Sequence, residues 1–389
     1  MQNNISLLVG LKNNLEYSKN CYQYLRQNNL DVEIVFVSYG STDGTNEWLQ
    51  SINDDNFIFF FSGEEKTLSD TYNKAIDIAT KEYVCFLHND MVIGKQFLDE
   101  ITKALFEHNI VYYKVIEPPI FAEDKRLWKE VHDFGDDFTS FRSHDFFQFE
   151  ANQQRKELTS TEDVSFFLAA KRNVLKEIKG LDPLFQPMFC EDDDLILRLK
   201  MYGEKTYVAA NALVYHFVSK TSRFSSEFKN KTKKIEENSL RNFFRKWGFH
   251  GQSKSKKKLG YGLILKNPTT DSIKQLEIFV DHIYSDFNPE QYIKEEQNNT
   301  LFDLGKKFKS INDSFIDDIM IKFDSKKMSE KNLYIFKNLV DIIIEKKQTK
   351  INILQKMLFK PNQYKSNDLR IEIIREASYE QQLIIRENA

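Results

Sequence analysis

The sequence predicts an α/β protein whose N-terminal half forms a mostly parallel sheet flanked by helices. Apolar runs alternate with amphipathic segments over the first hundred residues. The apolar runs are short and nearly continuous, which is typical of strands buried on both faces of a parallel sheet. The chain has only 7 Pro in 389 residues, and this scarcity favours long ordered elements over linkers.

The first elements follow from the spacing of apolar residues. Runs rich in β-branched and aromatic residues predict strands at Ile5–Leu11, Glu33–Tyr39, Asn56–Phe61 and Tyr83–Leu87. Helical spacing predicts helices at Leu15–Gln27 and Leu68–Ala79. Ligands of parallel sheets bind at the carboxyl ends of the strands. A site is therefore expected in the loops Gly10–Asn14, Ser38–Thr45 and His88–Gly94.

The remainder of the chain suggests two further parts. Residues 112–160 look irregular, before strand and helix patterns resume at Val164–Ala169, Arg172–Ile178, Asp192–Met201 and Thr206–His216. From about Phe224, lysine and asparagine become frequent, and apolar residues recur at helical spacing, as in Leu276, Phe279, Val280 and Ile283. We predict an α/β domain over 1–222, a basic connecting segment over 223–264 and a mainly helical domain over 265–389.

Composition excludes several classes of protein. With 41% hydrophobic residues the chain is not disordered, and no apolar run reaches the roughly 18 residues of a membrane span. The start, MQNNISLLVG, lacks the basic region of a signal peptide. We therefore expect a cytoplasmic protein, with the inner face of the membrane as the alternative. The three cysteines are far apart and odd in number, so we expect reduced thiols without a disulfide framework or zinc site.

A basic segment is hidden in the formal net charge of −3. Residues 221–260 contain twelve Lys/Arg and three Glu, a balance of +9. A solvated helix face is the ordinary explanation. The alternative is contact with an anionic membrane surface or nucleic acid, in which Phe243, Phe244 and Trp247 would stand among Arg241, Arg245 and Lys246.

Two loops after predicted strands carry polar residues suited to an anion, a nucleotide or a divalent cation. In Ser38–Thr45 (SYGSTDGT), Gly40 permits a tight turn, and Ser41, Thr42 and Asp43 offer caps for a helix beginning near Asn46. The strand YVCFL leads directly into His88, Asn89 and Asp90. A carboxylate there could hold Mg²⁺ or Mn²⁺, and an imidazole ligand would favour Mn²⁺. Either loop by itself could equally be an ordinary turn.

The later half of the predicted domain adds carboxylates and a histidine. Four consecutive acids, Glu191–Asp194, open an amphipathic helix. Acids are favoured in a first helical turn, but repulsion among four of them raises at least one pKa, as a general base or a metal site would need. His216 ends the extended segment that follows. A single histidine is more often structural than a ligand, but this one follows the acidic helix closely.

Taken in order, these motifs resemble those of the family 2 inverting nucleotide-sugar glycosyltransferases, which have the GT-A fold. SYGSTDGT resembles the family's "(D/N)GSTDGT" turn, and SDTYNKAI at 69–76 resembles the helix that usually reads "ARNxGI". His88–Asp90 stands where the family has its DxD motif. GLDPLF at 180–185 is similar to "GGFDExF", EDDDL at 191–195 to "EDxDL", and His216 to the histidine of "vxH". The resemblance covers residues 4–222.

The resemblance implies a role for each matching residue. Asp90 would bind Mn²⁺ or Mg²⁺ on the donor diphosphate, and His216 would complete that metal site. Asp192 would be the general base and Glu191 would orient the acceptor or the base. The donor-binding set would be Gly10, Ser38, Tyr39, Asp43, Asn73, His88, Asn89 and Asp90.

The sequence departs from the family at two places. Ser38 and Tyr39 replace an acidic pair that often contacts the nucleotide base, and His88 replaces the first acid of DxD. We expect a metal-dependent transferase that moves a sugar from a nucleoside diphosphate to a hydroxyl of a bacterial-type polysaccharide or glycolipid. The alternatives are an acceptor that is a modified nucleic acid or a protein, and a non-catalytic nucleotide-sugar-binding module of the same fold.

Overall fold

The computed structural model describes residues 4–27, 29–120, 125–218, 230–348 and 362–386. It divides into two compact units. Unit 1 comprises residues 1–235 together with 384–388, and unit 2 comprises 236–383. The boundary falls inside the basic segment that was expected to connect two domains, and residues 223–229 of that segment lie outside the described residues.

Unit 1 alternates strands and helices along its length. Its strands are β1 (Ile5–Leu11), β2 (Glu33–Tyr39), β3 (Phe57–Ser62), β4 (Tyr83–His88), β5 (Met91–Ile93), β6 (Ile110–Glu117), β7 (Lys129–Val131), β8 (Thr159–Thr161), β9 (Leu168–Lys171) and β10 (Thr206–His216). Its helices are α1 (Leu15–Gln27), α2 (Thr45–Ser51), α3 (Leu68–Ile78), α4 (Phe97–Glu107), α5 (Ser143–Ala151), α6 (Arg172–Glu177) and α7 (Glu191–Tyr202). Helix α8 (Thr232–Trp247) begins in unit 1 and continues into unit 2.

The strands of unit 1 form one sheet, sheet A, in the order β3-β2-β1-β4-β9-β6-β10-β5, with β7 beside β6 and β8 beside β10. Pairing is parallel from β3 to β4 and between β6 and β10, whereas β9 runs antiparallel to β4 and β6. Strands β1, β2 and β4 are almost wholly buried, as expected for a sheet covered on both faces. The predicted mostly parallel sheet flanked by helices is therefore confirmed.

Residues 112–160, expected to be irregular, contain ordered elements. Strand β6 covers 110–117, and α5 covers 143–151. The run YYKVIE in β6 includes Lys114 and Glu117, which disguise a buried strand as polar chain. Aromatic side chains of this segment pack together with Tyr215 and Phe217 into a second hydrophobic cluster, which includes Phe134, Phe138, Phe141 and Phe146. Phe134 and Phe138 therefore contribute to packing.

Unit 2 combines short helices with a second sheet. Its strands are β11 (Tyr261–Lys266), β12 (His282–Tyr284), β13 (Phe308–Lys309), β14 (Ile319–Asp324), β15 (Gln363–Ser366) and β16 (Leu369–Ile373). Its helices, besides most of α8, are α9 (Thr270–Leu276), α10 (Glu290–Glu296), α11 (Glu330–Lys337) and α12 (Leu339–Gln348). Short 3₁₀ turns lie at 277–279, 297–299, 304–307, 325–327 and 380–383.

The strands of unit 2 form sheet B, in the order β13-β12-β11-β14-β16-β15, parallel from β13 to β14. Helices are present in this region as expected, and it also contains a sheet that the sequence did not predict. Ile283, which was read as part of a helical pattern, lies in β12. Short apolar runs fit a buried strand or a helix equally well, and only strand pairing decides between them.

The two arginines of α8 are engaged in ion pairs within unit 2. Phe243, Phe244 and Trp247 are buried. Arg245 Nη2 lies 2.8 Å from Glu277 Oε2 and 2.5 Å from Glu296 Oε1. A second arginine, Arg241, places its Nε 2.8 Å from Glu296 Oε1. These residues are therefore not available to stack on bases or to hold an external phosphate backbone.

Two expectations from composition can also be compared with the structure. Cys21, Cys85 and Cys190 are all free thiols, and the first two are buried. Among the described residues, every helix is too short or too polar to traverse a lipid bilayer.

Candidate active site

Three strands of sheet A bring His88, Asp90 and His216 together. Strand β4 ends at His88, and the turn Asn89–Asp90 leads into β5. Strand β5 pairs antiparallel with β10, so that Met91 lies opposite His216. The backbone N–H of Phe217 also donates to the carbonyl of Asp90, at 3.0 Å. Strand pairing thus places a carboxylate and an imidazole, far apart in sequence, at the same point.

These three side chains form a candidate metal centre. Each offers one ligand atom, and the three atoms lie within 4.8 Å of one another. His216 Nε2 is 3.3 Å from Asp90 Oδ1, and the His88 and His216 ring centroids are 5.6 Å apart. In the described part of the chain this is the one group of His, Cys, Asp and Glu that could hold an ion. A carboxylate with two imidazoles suits Mn²⁺ better than Mg²⁺.

The two histidines of this centre differ in their electrostatics. Burial lowers the pKa of His88 to about 4, so its imidazole is neutral and able to act as a ligand at neutral pH. Burial would also lower the pKa of His216, but the carboxylates of Asp90 and Glu117 raise it to about 9. Without a cation, His216 is therefore an imidazolium between two carboxylates. A divalent cation would replace its proton.

Glu117, which sequence reasoning missed, lies beside this centre. It ends β6, next to β10, and its Oε1 is 2.9 Å from His216 Nδ1. Its other oxygen, Oε2, is 2.6 Å from Lys129 Nζ. Burial would raise the pKa of Glu117, but the hydrogen bonds and charges of His216 and Lys129 lower it. A Glu at the end of an apolar run was the available signal, because β6 ends at the same sheet edge as β4.

The four acids of α7 have separate surroundings. Asp194 is fully buried, and its Oδ2 accepts from Arg198 Nε at 2.8 Å. Arg198 also donates to the carbonyls of Ile178 and Gly180. Asp194 is thus a structural residue that orients the helix. Glu191 is buried, whereas Asp192 and Asp193 are half-buried. The sequence pattern alone did not separate these roles.

Burial and mutual repulsion disfavour ionisation of the first two acids. The pKa of Glu191 is raised to about 8 by burial and by the charges of Asp192 and Asp193. Glu191 Oε2 is buried and accepts no hydrogen bond from the described residues. Burial also raises the pKa of Asp192, and the charge of Arg126 partly opposes this shift. At neutral pH Glu191 is therefore mostly protonated.

Aromatic contacts connect the surroundings of Asp192 with the metal centre. The guanidinium of Arg126 lies 4.3 Å above the Trp128 ring, and Trp128 contacts Phe167 with ring centroids 5.6 Å apart. The ring centroid of Phe167 in turn lies 5.5 Å from that of His88 and 5.2 Å from that of His216. Trp128 is buried here, so it supports the site by packing.

The loop after β2 is held by the loop after β1. Asn13 Oδ1 accepts from the N–H of Thr42, and the N–H of Asn13 donates to Ser41 Oγ, each at 2.8 Å. Asp43 accepts from the N–H of Leu15 and from Thr45. Ser38 is fully buried, and its hydroxyl contacts Ser41 and Asn46. Of the predicted donor-binding residues in this loop, Ser38 and Asp43 thus maintain the loop itself.

The other predicted donor-binding residues have different surroundings. Asn73 exchanges two 2.8 Å hydrogen bonds with the backbone of Leu181, joining α3 to the GLDPLF segment. Gly10 lies beside His88 in β1, where a Cβ would come within 3.0 Å of Thr71 and Tyr72. Asn89 is buried and donates to Ser18 Oγ. Tyr39 is half-buried at the end of β2, and its ring contacts Phe60.

The N-terminal part of the chain matches a known protein family. The family model described as "Glycosyl transferase family 2" matches residues 6–179. Residues 6–179 form a glycosyl transferase family 2 domain. The mostly parallel sheet with flanking helices agrees with the GT-A fold that the motif resemblance implied. No curated protein matches the sequence.

Solved structures similar to this chain include glycosyltransferases. One is TarS 1–349 from S. aureus, with 15% identity, a TM-score of 0.41, and coverage of 62% of this chain and 71% of that one. A second is the mannosyltransferase PcManGT from Pyrobaculum calidifontis in complex with GDP-Man and Mn²⁺, with 16% identity, a TM-score of 0.42 and coverage of 62% and 63%.

Proposed function

We propose that this chain is a metal-dependent inverting glycosyltransferase that moves a sugar from a nucleoside diphosphate to an acceptor hydroxyl. The observation that carries the proposal is the convergence of His88, Asp90 and His216 at the carboxyl edge of sheet A within a family 2 domain. The half-buried Asp192, linked to this centre through Arg126, Trp128 and Phe167, supplies the base that such a transfer needs.

Asp90 and His216 are the proposed ligands of the cation, with His88 as a third. One carboxylate and two imidazole ligands favour Mn²⁺ as the bound ion, and Mg²⁺ is the alternative. The bound ion would neutralise the diphosphate and so stabilise the leaving group. The low pKa of His88, about 4, keeps a neutral imidazole in the centre throughout the physiological range.

Asp192 is the proposed general base. Its carboxylate would take the proton of the acceptor hydroxyl while the oxygen attacks the anomeric carbon on the face opposite the diphosphate. The glycosidic bond forms as the bond to the diphosphate breaks, and the anomeric configuration inverts. Glu191, protonated at neutral pH, can donate a hydrogen bond from the same helical turn and so orient the acceptor.

The donor nucleotide would lie over the loops after β1, β2 and β4. Tyr39 is the proposed stacking partner of the base, because its ring is only half-buried and Ser38 is enclosed. We keep Gly10, Asp43, Asn73 and Asn89 as residues that shape the donor site through the contacts described above. Their effect on donor binding is expected to be indirect.

The acceptor and the location in the cell are proposed from the sequence. A polysaccharide or glycolipid hydroxyl is the proposed acceptor, and the cytoplasm or the inner membrane face is the proposed location. The engagement of Arg241 and Arg245 with acids of unit 2 weakens the case for a nucleic acid acceptor.

Ligand-induced thermal stabilisation tests the donor and the ion together. Nucleoside diphosphates and nucleotide sugars would be screened with Mn²⁺ and Mg²⁺, and a true donor raises the melting temperature by mass action. Transfer or donor hydrolysis would then be measured for Asp192→Asn. Removal of a general base is expected to slow the reaction by about 10²–10⁴-fold. Asp193→Asn, the same change one residue away, is the matched control.

The outcomes separate the parts of the proposal. If Asp192→Asn turns over as fast as the wild type, the assignment of the base is wrong. If no nucleotide stabilises the protein with either ion, the transferase proposal itself fails. If a nucleotide sugar stabilises the protein but is neither transferred nor hydrolysed, the non-catalytic nucleotide-sugar-binding module is favoured.

A further inference from the structure

Behind the candidate metal centre lies a buried ion pair that the proposed reaction does not use. Glu117 ends β6, and Lys129 begins β7, which pairs with β6 so that Val115 faces Lys129 and Glu117 faces Val131. The side chains of Glu117 and Lys129 are 6% and 12% exposed, and Glu117 Oε2 and Lys129 Nζ are 2.6 Å apart. A buried charge pair of this kind is costly to desolvate, so its position next to His216 needs an explanation.

The geometry around His216 uses both of its ring nitrogens. Nδ1 lies 2.9 Å from Glu117 Oε1, and Nε2 lies 3.3 Å from Asp90 Oδ1. A carboxylate at Nδ1 keeps a proton on that nitrogen and leaves the Nε2 lone pair as the one directed to a cation. Ligand histidines in metal sites almost always have such a partner on the other nitrogen, which fixes tautomer and ring orientation.

Lys129 in turn determines the position of Glu117. Since each carboxylate oxygen has its own partner, rotation of the Glu117 carboxylate would break one of two short contacts. The positive charge of Lys129 also keeps Glu117 ionised in a buried position. Strand β7 therefore supplies Lys129, which holds the carboxylate of Glu117. Glu117 in turn orients His216.

We propose that Glu117 is a positioning residue that fixes His216 for cation binding, with Lys129 as its support. This inference rests on the proposed function, because it assumes that Asp90 and His216 hold the ion. It goes further by assigning a role to two residues outside the sequence motifs.

The same strand pair provides a matched control. Lys114 on β6 and Glu130 on β7 form a second ion pair, with Lys114 Nζ and Glu130 Oε2 3.0 Å apart. Successive side chains of a strand point to opposite faces, so Glu130 and Lys129 project in opposite directions. Glu130→Gln removes the same charge from the same pair of strands without touching His216.

Mn²⁺ binding to the full chain is the test, with the free ion followed by electron paramagnetic resonance. Loss of such a partner typically weakens metal affinity by about 10–100-fold. We expect about a tenfold loss for Glu117→Gln, which retains an acceptor oxygen, and about a hundredfold loss for Glu117→Ala. Lys129→Met should fall between wild type and Glu117→Gln, and Glu130→Gln should bind as the wild type does.

A second readout concerns the imidazole itself. With Zn²⁺ as a diamagnetic probe, long-range ¹⁵N spectra of the seven histidines should show one ring with a protonated Nδ1 and a metal-bound Nε2. That signature should be lost or altered in Glu117→Ala. A purely structural role for Glu117 would change the melting temperature of the metal-free protein and leave both the affinity and the tautomer unchanged.

The outcomes distinguish this inference from the proposed function. Wild-type affinity in both Glu117 variants, or an equal loss in Glu130→Gln, overturns the positioning role while the metal site stands. Failure of the wild type itself to bind Mn²⁺ overturns the metal site and the positioning role together. If Glu117→Ala does not fold, Glu117→Gln and Lys129→Met decide the question.

Discussion

Sheet A and sheet B both arrange their first four strands in the order third, second, first, fourth, all parallel. In both, the chain reverses direction across the sheet between the first and fourth strands, where α/β proteins commonly bind ligands. In sheet A, Gly10 and His88 are paired there, and the chain continues to Asn89 and Asp90. In sheet B the paired residues are Lys266 and Asp324.

The two edges differ in what their polar groups contact. In unit 2, Asn267 Nδ2 donates to Asp324 Oδ1 at 2.8 Å, and the hydroxyl of Ser325 donates to the Asn267 carbonyl. The two loops are thus hydrogen-bonded to each other. In unit 1, the ligand atoms of His88, Asp90 and His216 lie within 4.8 Å of one another at the corresponding edge. Shared topology therefore does not imply shared function, because the side chains at the edge decide what can bind.

Buried charges of unit 2 form ion pairs with one another. Breaking this ion network should cause the largest loss of stability among the predicted effects. Glu277 is fully buried and contacts Arg245, Lys307 and Tyr292, and the charges of Lys307 and Arg245 lower its pKa despite burial. Glu277→Ala leaves the buried Lys307 without this carboxylate and Arg245 with Glu296 alone, and we expect a loss of about 3–5 kcal/mol in the free energy of unfolding. Urea denaturation measures it.

The exposed acid Glu295 provides the control for that experiment, because Glu295→Ala removes the same charge from a solvated position. A Glu277→Ala protein as stable as the control would show that the network is energetically neutral.

Paired substitutions at the two edges test the functional side of the comparison. Asp90→Ala should abolish metal-dependent donor binding and slow transfer by about 10²–10³-fold, since a metal ion contributes several kcal/mol to such a reaction. Asp324→Ala, at the corresponding edge of sheet B, should leave transfer unchanged. Initial rates and Mn²⁺-dependent thermal shifts would be compared. Equal losses in both variants would contradict a functional difference between the edges.

Glu191 gives a pH-dependent prediction. Its pKa in the folded protein, about 8, lies above the ordinary 4.5, so folding favours its protonated form. The stability that this provides is complete below about pH 4.5 and is lost as pH rises through about 8. Glu191→Gln should therefore melt with less dependence on pH in this window. Melting temperatures of both proteins from pH 5 to 8.5 test the sign, and parallel curves would refute the shift.

Asn73 gives the smallest predicted effect. Asn73→Ala removes two hydrogen bonds to Leu181, and the partly buried backbone groups left behind should cost roughly 1–3 kcal/mol of stability. We expect the Michaelis constant for the donor to change little, because the Asn73 amide is engaged with the protein. A large rise in that constant at unchanged stability would instead support direct donor binding.

Much of unit 1 could be predicted because its strands can be recognised from short stretches of sequence. The runs at Ile5–Leu11 and Glu33–Tyr39 were located to the residue, since strands buried on both faces are continuously apolar. Strand β6 was missed because Lys114 and Glu117 interrupt its pattern. Their charges are tolerated through partners on β7, which no local pattern reveals.

The candidate site was only partly predictable for a related reason. Asp90 and His216 were selected by motif, and the structure places them 3.3 Å apart, between Asp90 Oδ1 and His216 Nε2. The separate roles of the four acids in Glu191–Asp194 could not be predicted from the sequence, because they depend on which acid contacts Arg198. The sheet of unit 2 was hidden for a different reason, since short apolar runs fit a buried strand or a helix equally well.

The sequence by itself determined the α/β class, the family of residues 6–179 and the chemical groups available at the strand ends. These follow from local periodicity and short motifs, which survive without knowledge of contacts. Tertiary structure alone decided which groups meet: His216 with Glu117, Asp194 with Arg198, and the cations of α8 with Glu277 and Glu296. Each of these is a contact between charges that gain or lose several kcal/mol by proximity and burial, and a linear pattern does not contain that distance.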